Sequence, residues 1–137
     1  RVVGVETNQG DFPTAAVVVA AGPWSPQLLQ NLGVDLPLIT SRVKIGLYRR
    51  PDDFKQHRVW GDFVNQIYLR PETGNLTLVG SISADEAQDR VENPDSFNEK
   101  VGVDILAEFG ERAAQRYPEM TRSNVFGNFA SLYDITP

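Results

Sequence analysis

The sequence contains no cysteine, and only one of its 137 residues is a histidine, His57. The missing thiols exclude disulfides, thiolate catalysis and cysteine-bound zinc. One imidazole is too few for a histidine-based metal site, and it makes a Ser-His-Asp triad hard to assemble. No apolar run approaches the roughly 20 residues that span a bilayer, so we expect no transmembrane segment.

Positive charge is also scarce, because 13 Lys and Arg residues stand against 18 Asp and Glu residues. The formal net charge is -5 and the pI is about 4.8, which argues against nucleic acid or an anionic membrane as a partner. Hydrophobic residues make up 41% and charged residues 23%, as in ordinary globular domains, which excludes the disordered and fibrous classes. We expect a cytoplasmic protein with one sizeable core.

Both ends of the sequence resemble the middle of a longer pattern. The chain opens with RVVGVET, which is strand-like, and it shows neither an initial Met nor a signal peptide. It closes with SLYDITP, again within a strand-like stretch. We interpret the sequence as a fragment of a larger protein, and we expect its apolar N-terminal strand to cause self-association when uncovered.

Residues 15–21 are apolar throughout, which predicts a strand that is buried on both faces. The run ends at Gly22, and Ser25 followed by Pro26 has the N-cap and first-turn pattern of a short helix. Gly33 suits the C-terminal end of that helix. A buried strand that breaks at a glycine before a helix is a common nucleotide-binding arrangement, but the same pattern also describes a strand that merely ends.

The middle of the chain favours an antiparallel sheet. Residues 41–48 alternate in polarity, and the strand-like stretches 65–70 and 76–82 are joined by the turn-forming PETGN. Ser96 and Glu99 have capping-box spacing, which predicts a long helix that ends before Pro118. Residues 125–135 indicate a last strand. The predicted fold class is therefore α+β, a largely antiparallel β-sheet covered by a long helix.

Alternation also assigns polar side chains to strand faces. Arg42, Lys44 and Tyr48 share one face of their strand, and Tyr68 and Arg70 share one face of another. If these faces coincide, they form a cationic, hydroxyl-bearing wall, on which a guanidinium can bind a substrate carboxylate with two hydrogen bonds. The alternative is the solvated polar side of a half-buried sheet.

Two further groups of ionisable residues carry weaker signals. Asp85, Glu86, Asp89 and Glu92 form an acidic run. A metal site and a solvated helix-flanking segment both fit such a run, and the solvated segment is much the commoner, so no metal ligand is assigned. His57 lies in the charged loop 50–58, and we interpret it as a surface residue.

Five segments, in their order along the chain, resemble the D-amino-acid oxidase superfamily of FAD-dependent oxidoreductases. They are GVET (4–7), VVVAAGPWSPQLLQNLGV (17–34), PLITSRVKIGLYRRP (37–51), YLRPETGNLTLVGS (68–81) and LYDITP (132–137). The superfamily includes sarcosine oxidase-like, glycine oxidase-like and amine or amino-acid dehydrogenase enzymes. The resemblance implies a small amine or amino acid as substrate, oxidised at its C–N bond. It also implies that residues 1–36 are the C-terminal part of the FAD-binding domain and residues 37–137 the substrate-binding domain.

The resemblance further implies a cofactor and individual site residues. Ala21 and Gly22, with Trp24 nearby, occupy positions that approach the FAD in the family, and Tyr68 matches a substrate-contacting tyrosine of sarcosine oxidase-like members. The family's Gly-rich phosphate-binding fingerprint does not occur in these 137 residues. We therefore expect FAD in the full-length protein and no stoichiometric FAD on the isolated chain.

One position departs from the family pattern. Leu78 stands where sarcosine oxidases place a lysine that assists the reaction with oxygen. A leucine supplies no charge for that step, which favours a dehydrogenase or an oxidase that handles oxygen differently. A non-catalytic α+β interaction module is the alternative function, and a G-x-G-x-x-G unit upstream in the full gene would decide for the enzyme.

Overall fold

The computed structural model describes residues 2–136, which form two compact units divided between Pro37 and Leu38. The first unit contains β1 (Gly4–Thr7), β2 (Gly10–Pro13) and α1 (Ser25–Gln30). The second contains β3 (Ile39–Arg49), β4 (Trp60–Asp62), β5 (Ile67–Glu72), β6 (Leu76–Ser81), α2 (Val103–Arg116) and β7 (Asn124–Ile135). Short 3₁₀ helices cover Gly22–Trp24, Ala84–Gln88 and Pro118–Arg122. The class is α+β, as predicted.

The second unit is built on a five-stranded sheet in the order β4-β5-β6-β3-β7, and all its neighbouring strands are antiparallel. The predicted hairpin is confirmed: β5 pairs with β6 through the PETGN turn, in which Gly74 and Asn75 have φ of 69° and 58°. Glycine and asparagine are the residues that adopt positive φ at least cost. The predicted last strand is confirmed as β7.

Helix α2 packs on one side of this sheet. Its residues Phe109 and Ala113 share a buried cluster with sheet residues that include Ile67, Leu69 and Val79. The helix begins at Val103, so the predicted long helix from Ser96 is not confirmed.

The segment before α2 is held by β7 instead of continuing the helix. The Ala130 amide donates to the Glu99 carbonyl over 2.9 Å, and the Val101 amide donates to Asn128 Oδ1 over 3.1 Å. These hydrogen bonds hold residues 99–101 in a non-helical conformation. The contacts with β7 therefore outweigh the helix start that the capping-box spacing favours.

The register of the sheet defines its two faces. Tyr68, Gly80 and Ile45 are register partners on β5, β6 and β3, so their side chains point to the same side. Leu69 and Val79 are the next pair along, and they belong to the cluster with α2. Tyr68 therefore lies on the side opposite α2, which we call the distal face; the other side is the α2 face.

The first unit differs from the expectation for residues 15–21. No described residue pairs with this segment as a strand, and Val18 is 91% exposed. Such a strand needs neighbouring strands at its edges and further elements packed on both of its faces. Among the described residues, the β1–β2 hairpin of this unit pairs only with itself. Ser25 is the first residue of α1 rather than its cap, which is Trp24. Gly33 follows the helix with φ of 69°, as its predicted terminal role requires.

His57 is buried, so the prediction of a surface histidine is wrong. Only 8% of the residue is exposed. Its Nε2 lies 2.8 Å from Thr77 Oγ1 and its Nδ1 lies 2.7 Å from the Arg58 carbonyl oxygen. The ring also stacks on Phe54, with 5.8 Å between the ring centroids. The charged composition of the loop predicts exposure and does not reveal these two polar partners. Their hydrogen bonds allow the imidazole to be buried.

Candidate active site

Of the site residues predicted from the sequence, Tyr68 has the most specific surroundings in the structure. Its ring lies across β6 on the distal face, directly over Gly80. A Cβ atom at Gly80 would stand 2.5–2.6 Å from three atoms of the Tyr68 side chain, well inside van der Waals contact. Gly80 therefore leaves the space that the ring occupies.

The Tyr68 hydroxyl belongs to a polar pair that spans the sheet. Burial, reinforced by a hydrogen bond with Tyr133 of β7, raises the pKa of Tyr68 above its ordinary value. The phenol is therefore neutral at physiological pH and keeps its O–H. When a ligand carboxylate binds, the Tyr68 hydroxyl can turn its one proton to the ligand and accept a hydrogen bond from Tyr133 instead.

A cavity of about 410 Å³ opens beside this tyrosine pair. It is lined by Tyr68, Tyr133, Ile135 and residues of the segment 81–87, which leaves the end of β6. The size is in the range of small-molecule sites. The cavity thus joins the predicted substrate tyrosine to a segment that sequence reasoning did not place there.

Glu86 is the ionisable residue in the cavity lining that the sequence interpretation missed. It is half-buried, and burial raises the pKa of its carboxyl to about 7, against the opposing charge of Lys44 and with the like charge of Asp89. The Ser81 hydroxyl hydrogen-bonds the carboxyl. The signal in the sequence was Ser83, whose side chain caps the 3₁₀ helix Ala84–Gln88 and so makes the acidic run a packed turn.

The expected wall of five polar side chains does not form, because the two faces do not coincide. Lys44 precedes Ile45, a distal-face residue, so Lys44 and Arg42 point to the α2 face. Both pair with Asp89: the Arg42 Nε–Oδ2 distance is 3.1 Å and the Lys44 Nζ–Oδ2 distance is 2.5 Å. Partial burial opposes ionisation of Asp89, but the two cations hold its pKa below the usual value.

Tyr48, the third residue of that strand set, is also on the α2 face. It is 2% exposed, and its hydroxyl donates to the Leu106 carbonyl of α2. Its role in the described structure is to dock the helix on the sheet. Alternation assigned its strand face correctly, but the sequence gives no information on which face the helix covers.

Arg70 lies on the distal face with Tyr68, as the alternation predicted. Its side chain is 56% exposed and pairs with Glu72, with 2.5 Å between Nη2 and Oε1. Leu78 is its register partner on β6 and follows it onto the same face. An exposed guanidinium with one carboxylate partner keeps donors available for a second anion.

The three residues expected to approach FAD lie in the first unit. Ala21 caps the 3₁₀ helix Gly22–Trp24, and its carbonyl accepts a hydrogen bond from the Trp24 amide over 3.1 Å. Gly22 has φ of 52°, a conformation that favours glycine. Without a side chain, the Gly22 backbone is accessible to close approach by a ligand.

No group of three or more metal-ligating side chains occurs among residues 2–136, and within the same residues no helix is long and apolar enough to cross a membrane.

Comparisons with known proteins identify the family. The family described as DAO, FAD dependent oxidoreductase, matches residues 1–137. The chain is 28% identical to the glycine oxidase of Pseudomonas putida over 137 residues, which are 100% of this chain and 34% of that protein. Thus the chain spans about a third of this curated relative's length.

Solved structures share the fold. Glycine oxidase from Geobacillus kaustophilus superposes with a TM-score of 0.71 and 23% identity, over 97% of this chain and 33% of that one. L-proline dehydrogenase from P. horikoshii superposes with a TM-score of 0.80 and 17% identity, over 98% of this chain and 35% of that one. With the family match over every residue, these likenesses lead to one conclusion: the chain belongs to the DAO family of FAD-dependent oxidoreductases.

Proposed function

We propose that this chain supplies the substrate side of an FAD-dependent enzyme that oxidises the C–N bond of a small amine or amino acid. The observation that carries the proposal is the position of Tyr68. By sequence resemblance, this residue corresponds to a substrate-contacting tyrosine of sarcosine oxidase-like members, and it lies over Gly80 and lines a cavity of small-molecule size. The glycine oxidase of Pseudomonas putida, similar over the whole chain, supports a small amino acid as the substrate class.

Each distal-face residue has a role in this proposal. Tyr68 donates a hydrogen bond to the substrate carboxylate, and Arg70 adds a positive charge at the exposed end of the same strand face. Together they orient the substrate's C–N bond, because catalysis in such an enzyme depends on positioning. The proposal gives Arg42 and Lys44 no contact with substrate, because both are paired with Asp89 and point to the α2 face.

The residues of the first unit fit part of a flavin site. Gly22 combines a positive φ with the absence of a side chain, so its backbone can contact a bound FAD, with Ala21 and Trp24 beside it. When bound, FAD supplies the two-electron acceptor for substrate oxidation. We assign residues 1–36 to the FAD-binding domain and residues 37–137 to the substrate-binding domain on this basis.

Leu78 bears on the electron acceptor. It lies on the distal face between Leu47 and Arg70 and presents no charge there. We propose dehydrogenase-type behaviour, in which an acceptor other than oxygen takes the electrons from the reduced enzyme.

Anaerobic mixing of the full-length, flavin-loaded protein with a panel of small amino acids and N-methyl amines tests the proposal. Bleaching of the flavin absorbance by at least one of them is expected. Re-oxidation by a dye acceptor should then be faster than re-oxidation by oxygen. A flavin that no member of the panel reduces would contradict the proposed function and favour the interaction module. Rapid re-oxidation by oxygen would contradict the dehydrogenase assignment alone.

A further inference from the structure

The cavity beside Tyr68 has a distinctive charge pattern. Of the described residues that line it, Glu86 is the only one with an ionisable acid or base group other than the two tyrosines. Ser81 and Ser83 contribute hydroxyls, and the remaining lining residues are aliphatic. A single half-buried carboxylate in a small, largely apolar cavity has a strong Coulomb interaction with any charge that a bound ligand carries.

We propose that Glu86 sets the charge selectivity of the substrate cavity. Its carboxylate disfavours amino acids whose side chain carries a second carboxylate and favours those with a neutral or cationic side chain. The inference rests on the proposed function, since it names the substrate class that the same site accepts.

The surrounding charges leave the carboxylate effective. Lys44 is a cation whose charge acts on it, but the Lys44 ammonium is 2.5 Å from Asp89 Oδ2 and is already paired there. Asp89 itself adds negative charge. On the cavity side Glu86 meets the hydroxyls of Ser81 and Tyr68, which are neutral. Among the described residues that line the cavity, none carries a positive group that would cancel its charge.

The selectivity should also depend on pH. Burial raises the pKa of Glu86 to about 7, so the group is largely protonated and neutral below that pH and charged above it. Lys44, Asp89 and Tyr68 face it from β3, the acidic run and β5. Despite partial burial, the two cations lower the pKa of Asp89, and burial raises the pKa of Tyr68, so neither of these groups changes its charge in this range. Discrimination against a second carboxylate is therefore weak near about pH 6 and strong near about pH 8.

The test compares asparagine with aspartate, of the enantiomer that the enzyme oxidises, because the two have nearly the same shape and differ in charge. With full-length, flavin-loaded protein, the ratio of kcat/KM values, or of inhibition constants where turnover is slow, is measured at both pH values. The asparagine preference is expected to rise with pH in the unmodified protein. In Glu86→Gln it should be about tenfold smaller at the higher pH and no longer change with pH.

Glu92→Gln is the matched control, because it removes the same charge from an exposed residue outside this cavity. It should keep the original preference and pH profile. An unchanged preference in an active Glu86→Gln enzyme, or an equal change in the Glu92→Gln control, would overturn the inference and leave the proposed function standing. If Glu86→Gln does not fold, a flat pH profile in the unmodified protein overturns it. Failure of every amino acid to react would overturn both.

Discussion

At the scale of single residues, the distal face depends on one glycine. Gly80 is the strand position that leaves space for the Tyr68 ring over β6. Gly127 on β7 points to the same face, since it pairs with Leu47, but a Cβ there meets no heavy atom within 4 Å. A methyl group at Gly80 would meet the Tyr68 ring, whereas one at Gly127 would meet no atom. Alanine substitutions at the two positions therefore form a controlled comparison.

Gly80→Ala should displace the Tyr68 ring and reduce stability by about 1–3 kcal/mol, the usual cost of overpacking. Gly127→Ala should cost much less. Urea unfolding gives the stability difference, and NMR of the tyrosine ring signals reports the displacement. A Gly80→Ala protein as stable as its Gly127→Ala counterpart, with unchanged tyrosine signals, would show that the close approach is not a constraint.

His57 predicts a dependence of stability on pH. Burial lowers its pKa, with Arg50 adding to the effect and the Arg58 carbonyl opposing it. The unfolded chain therefore binds a proton more readily than the folded protein does. Stability from this residue is complete above the unfolded pKa of about 6.5 and is lost as pH falls toward the folded value. The free energy of unfolding should fall less steeply with acidification in His57→Gln than in the original protein. Identical slopes would contradict this account.

At the scale of elements, sequence patterns predicted the features that residues close together in the chain determine. The hairpin β5–β6 follows from alternation and from a turn that contains Gly74 and Asn75, whose positive φ values require those residue types. The start of α2 could not be predicted, because Glu99 and Val101 are bound by residues of β7 about thirty positions away. Nor could alternation show that Lys44 and Tyr68 point to opposite sides of one sheet, since that depends on register.

The acidic run is the element whose interpretation changed most. Asp89 pairs with Arg42 and Lys44, while Glu86 turns into the cavity. The sequence pattern indicates a solvated segment, because the cations that pair with Asp89 lie more than forty residues earlier in the chain. A spacing rule within one helix or strand cannot detect such a pairing.

Asp89→Asn should loosen the segment 84–91 without unfolding the sheet. The substitution removes the charge that the two cations bind, while the backbone hydrogen bonds of Asp89 are retained. Amide hydrogen exchange is expected to accelerate at residues 86–91 and at Arg42, whose amide donates to the Asp89 carbonyl over 2.8 Å. Glu92→Gln is the control for a lost charge. Equal exchange rates in both variants would show that the ion pairs do not hold the segment.

At the scale of the whole molecule, the proposed function assigns the flavin and the substrate to different parts of the chain. In this proposal Gly22, with its positive φ, and its neighbours contribute one backbone contact point, whereas phosphate binding in dinucleotide proteins uses a Gly-rich loop and a helix N-terminus. We therefore predict that the isolated 137-residue chain purifies without stoichiometric FAD. The ratio of flavin to protein absorbance measures this. One tightly bound flavin per chain would show that these residues supply more of the binding energy than the account allows.

The central claim is that the distal face binds substrate and the α2 face holds the fold together. Tyr68 and Tyr48 lie on opposite faces of one sheet, and each donates through its hydroxyl group in the proposed account. Removing either hydroxyl as Phe changes almost no volume, so the pair separates binding from stability.

Steady-state kinetics and thermal unfolding of the two full-length variants test this claim most directly. Tyr68→Phe should raise KM for the amino-acid substrate by up to about tenfold, the worth of one hydrogen bond of about 0.5–1.5 kcal/mol. Its Tm should fall only slightly, because the half-exposed Tyr133 hydroxyl that loses its partner can bond to water instead. Tyr48→Phe should lower stability by about 1 kcal/mol, because the buried Leu106 carbonyl loses its donor, with KM unchanged. If Tyr68→Phe leaves kcat and KM as they are, Tyr68 is only a packed sheet residue and the distal face is not the substrate face.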